Sequence, residues 1–436
     1  MVKRVRIPTL ERLDTSRFKL ASFRNILLSP AVLILVATYF SYQGALWYFR
    51  NHIFWREPHG EFFNDEHVYD LGYSRERQRD AADFLAQAAN DSASSPTHAY
   101  GPLLCAGIAT VKRRTDYLNG TIGTMFATLT PEERGAMEVR LTFVSAHPED
   151  HPDWDQGWLN LVDFHGGYNV TETEMEQLRT WEADDKWIQW KGVWDYTYLL
   201  LDCYERSNAP YIAVFEDDII FAEGWMSKTL KALAELREMS IEWLYLRLFY
   251  TETFHVFWKK RDFFHHYRGV AHGTGAGATA FMLLLLRGCS RTVQRRIYND
   301  ASTTGRCWSS LALPVPKHSL KGTGLTRMDA ACCTQALVFP RSQVLDVIDY
   351  LLERERGQTD LMIEKYADEL GIARFAVEPQ QVQHVGVKSS RGGSKKTVWA
   401  HLFETYNGEA LREEHVRMAK GGRTWRPQDD GLSDVL

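Results

Sequence analysis

The chain lacks the paired CxxC spacing of a zinc site, although it carries six cysteines: Cys105, Cys203, Cys289, Cys307, Cys332 and Cys333. It lacks an excess of basic charge as well. Fifty-one Lys and Arg stand against 56 Asp and Glu, a net charge of −5, so no global field favours nucleic acid and none is expected as a partner. No internal repeat is evident, which argues against a solenoid or propeller. The chain is not depleted in apolar residues either. At 44% hydrophobic and 25% charged it has the balance of a folded domain. An even cysteine count permits disulfides in an oxidising compartment, but their pairing is not legible, and buried free thiols are the alternative.

One charge desert stands out. Residues Ile26 to Phe49 contain no charged side chain and are long enough to span a bilayer. Lys3, Arg4, Arg6, Arg12, Arg17, Lys19 and Arg24 precede it, and Trp47 and Tyr48 lie at its far end. The positive-inside rule then predicts a cytosolic tail over 1–25, a transmembrane helix over 26–49, and a lumenal remainder. Sequons at Asn90, Asn119 and Asn169 agree with that topology. A second apolar stretch, Val270 to Leu286, is marginal for a span. It is expected either to enter and leave the membrane on one side, to pair with a second pass, or to be a buried helix.

Beyond a stem over 50–99, with a helical stretch around Arg75 to Ala89, compact structure is expected from near Tyr100. Apolar, strand-like segments occur at Leu103–Val111, Glu138–Ala146, Tyr211–Phe215, Glu242–Phe249, Ala336–Phe339 and Val382–Val387. Helical spacing occupies Gly192–Glu205 and Trp225–Met239, and Ser342 is the expected cap of a helix carrying Val344, Val347, Ile348, Leu351 and Leu352. Strands alternating with helices predict an α/β fold with a mostly parallel sheet, whose ligands bind at strand carboxyl ends.

Glu216, Asp217 and Asp218 follow directly on the strand Tyr211–Phe215. Three carboxylates at one strand end repel one another without a cation, and hard oxygen ligands in a row suit Mn²⁺ or Mg²⁺. Such a cation would neutralise a leaving diphosphate. Taken alone, the same triplet also reads as a solvated acidic turn.

The ordered motifs are more specific. Lys191-Gly-Val-Trp-Asp195-Tyr196, the strand with its acidic triplet, and Gly224-Trp225 resemble the metal-binding core of GT-A-fold glycosyltransferases. Cys332-Cys333-Thr-Gln335-Ala-Leu-Val-Phe-Pro340-Arg341, Thr359-Asp360-Leu and Gln383-His384-Val-Gly386 resemble the Golgi GPI-modifying N-acetylgalactosaminyltransferases, over roughly residues 100–400. The N-acetylglucosaminyltransferase IV enzymes of N-glycan synthesis share much of this pattern. The resemblance implies a Golgi membrane enzyme with a lumenal catalytic domain. It would use a UDP-sugar, UDP-GalNAc in the GPI-modifying group, on the mannose core of GPI anchors. A GT-A domain would occupy 100–261 and 323–436, interrupted by an insertion over 262–322, where the family carries a pair of membrane segments. It further implies metal ligands Glu216, Asp218 and His384, nucleotide-sugar contacts from Lys112, Arg113, Arg114, Asp195, Glu216 and Asp217, and Asp360 as catalytic base. For Asp360 a helix N-cap is the alternative. For the whole chain the alternative outside enzymology is a non-catalytic membrane protein with an acidic cation-binding loop.

Overall fold

A computed structural model describes Tyr39 and residues 72–88, 101–113, 115–251, 324–328, 333–386, 400 and 402–421. All but Tyr39 belong to one of two compact units, that built from Asn51–Asp262 and His318–Leu436. Its elements in chain order begin with α1 (Tyr73–Ala88), β1 (Leu104–Thr110), α2 (Leu118–Phe126), α3 (Pro131–Gly135), β2 (Met137–Phe143), β3 (Phe164–Gly166), α4 (Glu172–Glu182) and α5 (Ile188–Arg206). There follow β4 (Tyr211–Glu216), β5 (Ile219–Phe221), α6 (Trp225–Glu238), β6 (Trp243–Arg247), β7 (Gly324–Met328), β8 (Ala336–Pro340), α7 (Arg341–Arg354), α8 (Thr359–Leu370), β9 (Ala373–Glu378), β10 (Val382–His384) and α9 (Gly408–Gly421).

Among the described residues eight strands form one sheet, in the order β3-β2-β1-β4-β8-β6-β9-β7. The half that holds β1, β2, β3 and β4 is parallel, whereas β8 runs antiparallel to both β4 and β6. The sheet is therefore mixed rather than parallel throughout. Side chains alternate across it with the strand period of two. From β4, Ala213 and Phe215 join the core under α2 and α6, while Ile212 and Val214 join the core under α5, α7 and α8. Both faces being covered explains why the central strands read as unbroken apolar runs.

The helices follow the same logic. Val193, Tyr196, Leu200 and Cys203 of α5 recur at helical spacing and all point into one core. Helix α7 needs no capping serine. Pro340, which has no N–H, ends β8 and stands at the N-cap, and the Arg341 N–H donates to the Pro210 carbonyl at 2.9 Å. Ser342 is thus inside the helix and not its cap. Helices α3 and α4 do open on capping boxes, Thr130 with Glu133 and Thr171 with Glu174.

Helix α1, expected in a stem, is part of the compact domain. Tyr73 is buried, and its hydroxyl accepts a hydrogen bond from the Glu223 N–H at 2.9 Å. Arg77, 1% exposed, donates to the Phe221 carbonyl at 3.0 Å and the Thr124 carbonyl at 3.1 Å. Compact structure therefore begins by Tyr73 and not near Tyr100.

One element of the expected fold class is overturned. Among the described residues no helix is long and apolar enough to cross a membrane. A span needs about 20 consecutive apolar residues. The 19-residue α5, for comparison, carries Lys191, Asp195, Asp202, Glu205 and Arg206. Over the described residues the fold class is accordingly α/β with a mixed sheet, and none of those residues forms the expected transmembrane helix or membrane-entering insertion. Residues 26–49 other than Tyr39, and the stretch 270–286, lie outside the described residues, as does Asn90.

A disulfide joins Cys105 of β1 to Cys203 of α5, both fully buried, with Cα atoms 5.8 Å apart. Cys333 is disulfide-bonded too, to a cysteine outside the described residues. A bond closing a loop of 98 residues is worth roughly 4–5 kcal/mol on chain-entropy grounds.

The C-terminal helix α9 is fastened by charge. His415, 5% exposed, bonds Glu223 through Nδ1 at 2.7 Å and Glu133 through Nε2 at 3.0 Å. Ser227 also donates to Glu133, and Lys228 pairs with Glu414 at 3.1 Å. Gly224 permits the approach: it has φ +71°, and a Cβ there would meet the His415 Cβ at 3.1 Å.

Two predictions follow from these fastenings. Cys105→Ala combined with Cys203→Ala should lower the thermal midpoint, and dithiothreitol should lower the midpoint of the wild type by more than that of the double variant, which lacks this bond. Burial alone would lower the His415 pKa, but its two carboxylate partners outweigh burial and push it up to about 9. A raised folded pKa gives stability that is fully present below about 6.5 and is lost as pH rises through about 9. The midpoint of wild type minus that of His415→Gln should therefore shrink from pH 6.5 to pH 9.5 in differential scanning calorimetry. A constant difference would refute the role given to the charged ring.

Candidate metal centre and adjoining cleft

Strand β4 ends at Glu216, and the chain turns through Asp217 and Asp218 into β5. Two distant segments then close on this turn. The first is the approach to β8, because the β4–β8 register pairs Phe215 with Ala336. The Glu216 N–H donates to the Gln335 carbonyl at 3.1 Å, and the Thr334 hydroxyl donates to Glu216 Oε1 at 2.8 Å. The second is β10, which pairs antiparallel with β5 and sets His384 opposite Ile219. The Val385 N–H donates to the Asp218 carbonyl at 2.8 Å.

Glu216, Asp218 and His384 each bring one ligand atom into a cluster whose members all lie within 4.8 Å of one another. Asp218 and His384 are buried and Glu216 half-buried. His384 Nε2 stands 3.5 Å from Asp218 Oδ2, while Asp218 Oδ1 is buried with no hydrogen-bond partner among the described residues. An orphaned carboxylate oxygen in such a place is costly unless something positive meets it. The donor set, two carboxylates and an imidazole, could hold a divalent metal ion.

Asp217 does different work. Its Oδ2 accepts from the Thr110 hydroxyl at 2.8 Å and from the Val111 N–H at 3.2 Å, and Arg113 donates to its Oδ1. It thereby locks the end of β1 to the end of β4. Burial raises the Asp217 carboxyl. Burial pushes Asp218 the same way, but the His384 ring and the Arg113 guanidinium outweigh it and hold Asp218 well below the usual carboxylate range.

Of the remaining expected site residues, Arg113 reaches the triplet, with Nη1 2.6 Å from Asp218 Oδ2. Lys112 is exposed, and Arg114 lies outside the described residues. Asp195 is tied elsewhere: Lys191 Nζ lies 3.0 Å from both its oxygens, and the Tyr168 hydroxyl donates to it. Asp360 lies in the first turn of α8, whose N-cap is Gln358 and not Asp360. Its Oδ2 accepts the Cys333 N–H at 2.9 Å and its Oδ1 the Leu361 N–H at 2.9 Å. The short segment Cys333-Thr334-Gln335 thus touches both Asp360 and Glu216. Arg247, 1% exposed, holds the same segment by donating to the Cys333 carbonyl. Cys333 has φ +79°, a strained value for a side-chain-bearing residue that these contacts enforce.

Beside the triplet, at the carboxyl end of β1, lies a narrow, partly open crevice of about 10 Å³. Thr110, Arg113, Tyr117, His151, Asp153 and Asp217 line it. Asp153 is 3% exposed and its Oδ2 has no hydrogen-bond partner among the described residues. Burial, reinforced by Asp116, pushes the Asp153 carboxyl up to about 6. Asn119 donates to Asp116 and, at 3.4 Å, to Asp153. Thr121 is fully buried, its hydroxyl on the Asp217 and Ile219 carbonyls. The Asn119 sequon is therefore part of the scaffold of the cleft, whereas Asn169 is exposed.

Thr334, Thr110 and the cleft residues Tyr117, His151 and Asp153 escaped notice in the sequence because such residues taken singly carry no spacing signal. Gly386 was visible in the His-Val-Gly motif, but its reason was not. A Cβ at Gly386 would lie 2.0 Å from Asp218 Oδ2 and 2.9 Å from His384 Nε2. No protein-family model matches the chain, and the search of curated proteins returned no match either.

Gly386→Ala must accordingly displace the Asp218 carboxylate or the β10 end. The expected outcome is a variant that folds with about 1–3 kcal/mol lost and with affinity for a divalent metal, read by isothermal titration with Mn²⁺ as the probe, weakened roughly tenfold. Unchanged Mn²⁺ affinity would refute the packing of Gly386 on the cluster.

Proposed function

We propose that this protein is a metal-dependent glycosyltransferase of the GT-A type, acting on a UDP-sugar. The observation that carries the reading is the cluster of Glu216, Asp218 and His384 at the carboxyl end of β4, opening beside a cleft at the carboxyl end of β1. In open α/β sheets this edge is where ligands bind.

Glu216, Asp218 and His384 would hold Mn²⁺ or Mg²⁺, and the bound ion would neutralise charge on the leaving diphosphate. Thr334 orients Glu216, as partners behind a metal ligand commonly do. Arg113 is placed to meet a phosphate at the crevice by Tyr117 and Asp153. In the transfer, the acceptor hydroxyl oxygen attacks the anomeric carbon as the bond to diphosphate breaks. The hydroxyl proton passes to a carboxylate, for which Asp360 is our choice, since its segment adjoins Glu216. Inversion at the anomeric carbon is the expected outcome.

The finer reading is transfer of N-acetylgalactosamine from UDP-GalNAc to the mannose core of GPI anchors in the Golgi lumen. It is supported by the motifs around Asp218, Asp360 and His384 and by the buried Cys105–Cys203 bond, which suits an oxidising compartment.

The test is a panel of UDP-sugars offered to the purified full-length chain, with donor hydrolysis and transfer to mannosyl acceptors read by mass spectrometry. Mn²⁺-dependent turnover of UDP-GalNAc is expected. Asp218→Ala should lower it by roughly a hundredfold or more. Undiminished turnover in EDTA, or in Asp218→Ala, would sink the metal mechanism. Metal binding without affinity for any UDP-sugar would favour a non-catalytic cation-binding protein.

A further inference from the structure

Arg113 occupies a position with two faces. One touches the acidic turn: Nη1 is 2.6 Å from Asp218 Oδ2, and Nη2 donates to Asp217 Oδ1. The other faces the cleft that Arg113 itself lines, with the guanidinium carbon 5.8 Å from the centre of the Tyr117 ring. Its side chain is 15% exposed, and its Nε is buried with no hydrogen-bond partner among the described residues.

We propose that Arg113 is a stand-in cation that opposes binding of a lone metal ion, and that a nucleotide diphosphate releases it, so that metal and nucleotide bind cooperatively. The proposal rests on the metal reading above and adds to it a rule for how the site fills. The physical argument is a competition for one carboxylate. Asp218 Oδ2 already carries the guanidinium, and this is the oxygen that stands 3.5 Å from His384 Nε2. A divalent ion arriving alone must either share that carboxylate with a fixed positive charge or expel the charge from a partly buried pair. Both are unfavourable.

A diphosphate changes the balance. Its oxygens match the planar fork of a guanidinium better than a single carboxylate edge does, and they can satisfy the unmet Nε as well. Once Arg113 turns to the cleft, Asp218 is left to the metal. Linkage then requires that the factor by which nucleotide tightens metal equal the factor by which metal tightens nucleotide. A site so built holds little metal without nucleotide, and little nucleotide without metal.

The experiment is isothermal titration of Mn²⁺ into the full chain, with and without saturating UDP, for wild type, Arg113→Met and Arg113→Lys. In wild type, UDP should tighten Mn²⁺ by roughly tenfold or more. In Arg113→Met, which keeps length and loses charge, Mn²⁺ alone should bind roughly tenfold tighter than in wild type, and the enhancement by UDP should collapse. Arg113→Lys cannot span both carboxylates at once, so it should bind Mn²⁺ alone with intermediate affinity. This variant carries the test should Arg113→Met fail to fold. Equal Mn²⁺ affinity in wild type and both variants, or an unchanged UDP enhancement, would overturn the role of Arg113 while leaving the metal site standing. Absence of Mn²⁺ binding in every protein, with UDP present, would overturn both.

Discussion

The turn Glu216-Asp217-Asp218 places three carboxylates at the end of a buried strand, and much of the surrounding structure exists to make that arrangement tolerable. Charge in such a position must be met by donors or cations. Asp217 is met by Thr110, Val111 and Arg113, Glu216 by Thr334, and Asp218 by Arg113 and His384. These partners come from three separate stretches of chain. Satisfying one short turn therefore ties the end of β1, the approach to β8 and the end of β10 to the end of β4. Asp218 Oδ1, buried with no hydrogen-bond partner among the described residues, is where an incoming cation has the most to offer.

The rest of the domain can be understood as support for that convergence. The sheet is buried on both faces, which fixes β4 rigidly against β1 and β8. The buried Cys105–Cys203 bond fastens β1 to α5 behind the site. On the other face, α1 and α9 hold the β5–α6 corner through Arg77, Glu223, Glu133 and His415. Their contribution is to keep β5 in place, and β5 in turn positions β10 and His384. A second charged group, with Arg247, Glu364, Arg374 and Tyr245, lies behind Cys333 and supports the segment that touches Glu216 and Asp360. Function is thus concentrated at one edge while ionic fastening is distributed through the domain. Because the edge carries paired charge rather than bulk apolar contact, it is also where single substitutions should alter ligand affinity with modest cost to the fold.

Much of this was legible from residue order. Apolar runs marked β1, β2, β4, β6 and β8 to within a few residues, because both faces of a central strand must be apolar. Helical spacing marked α5, α6 and α7 for the corresponding reason. The acidic triplet declared itself by sitting directly on such a strand. The antiparallel insertion of β8 could not be read, since an apolar strand looks the same in either direction. Nor could the inclusion of α1, whose attachment depends on Arg77 and Tyr73, polar-tipped residues with no periodic signature. An apolar run marks what can be buried in something, and does not say whether that is protein or bilayer. Among the described residues no helix is long and apolar enough to cross a membrane, and residues 26–49 other than Tyr39 lie outside them.

The sequence by itself determined the α/β class, the strand that bears the carboxylates, and the residue types available for a metal. Those follow from local pattern, which needs only neighbours a few positions apart. The tertiary structure decided which of those residues meet. It brought His384 from far along the chain to Asp218, gave Asp217 a bracing rather than a ligating place, drew Asp195 to Lys191 and Tyr168, and set Arg113 across the mouth of the cluster. These pairings depend on strand order and register, and a shift of register by one residue would carry His384 to the other face of β10.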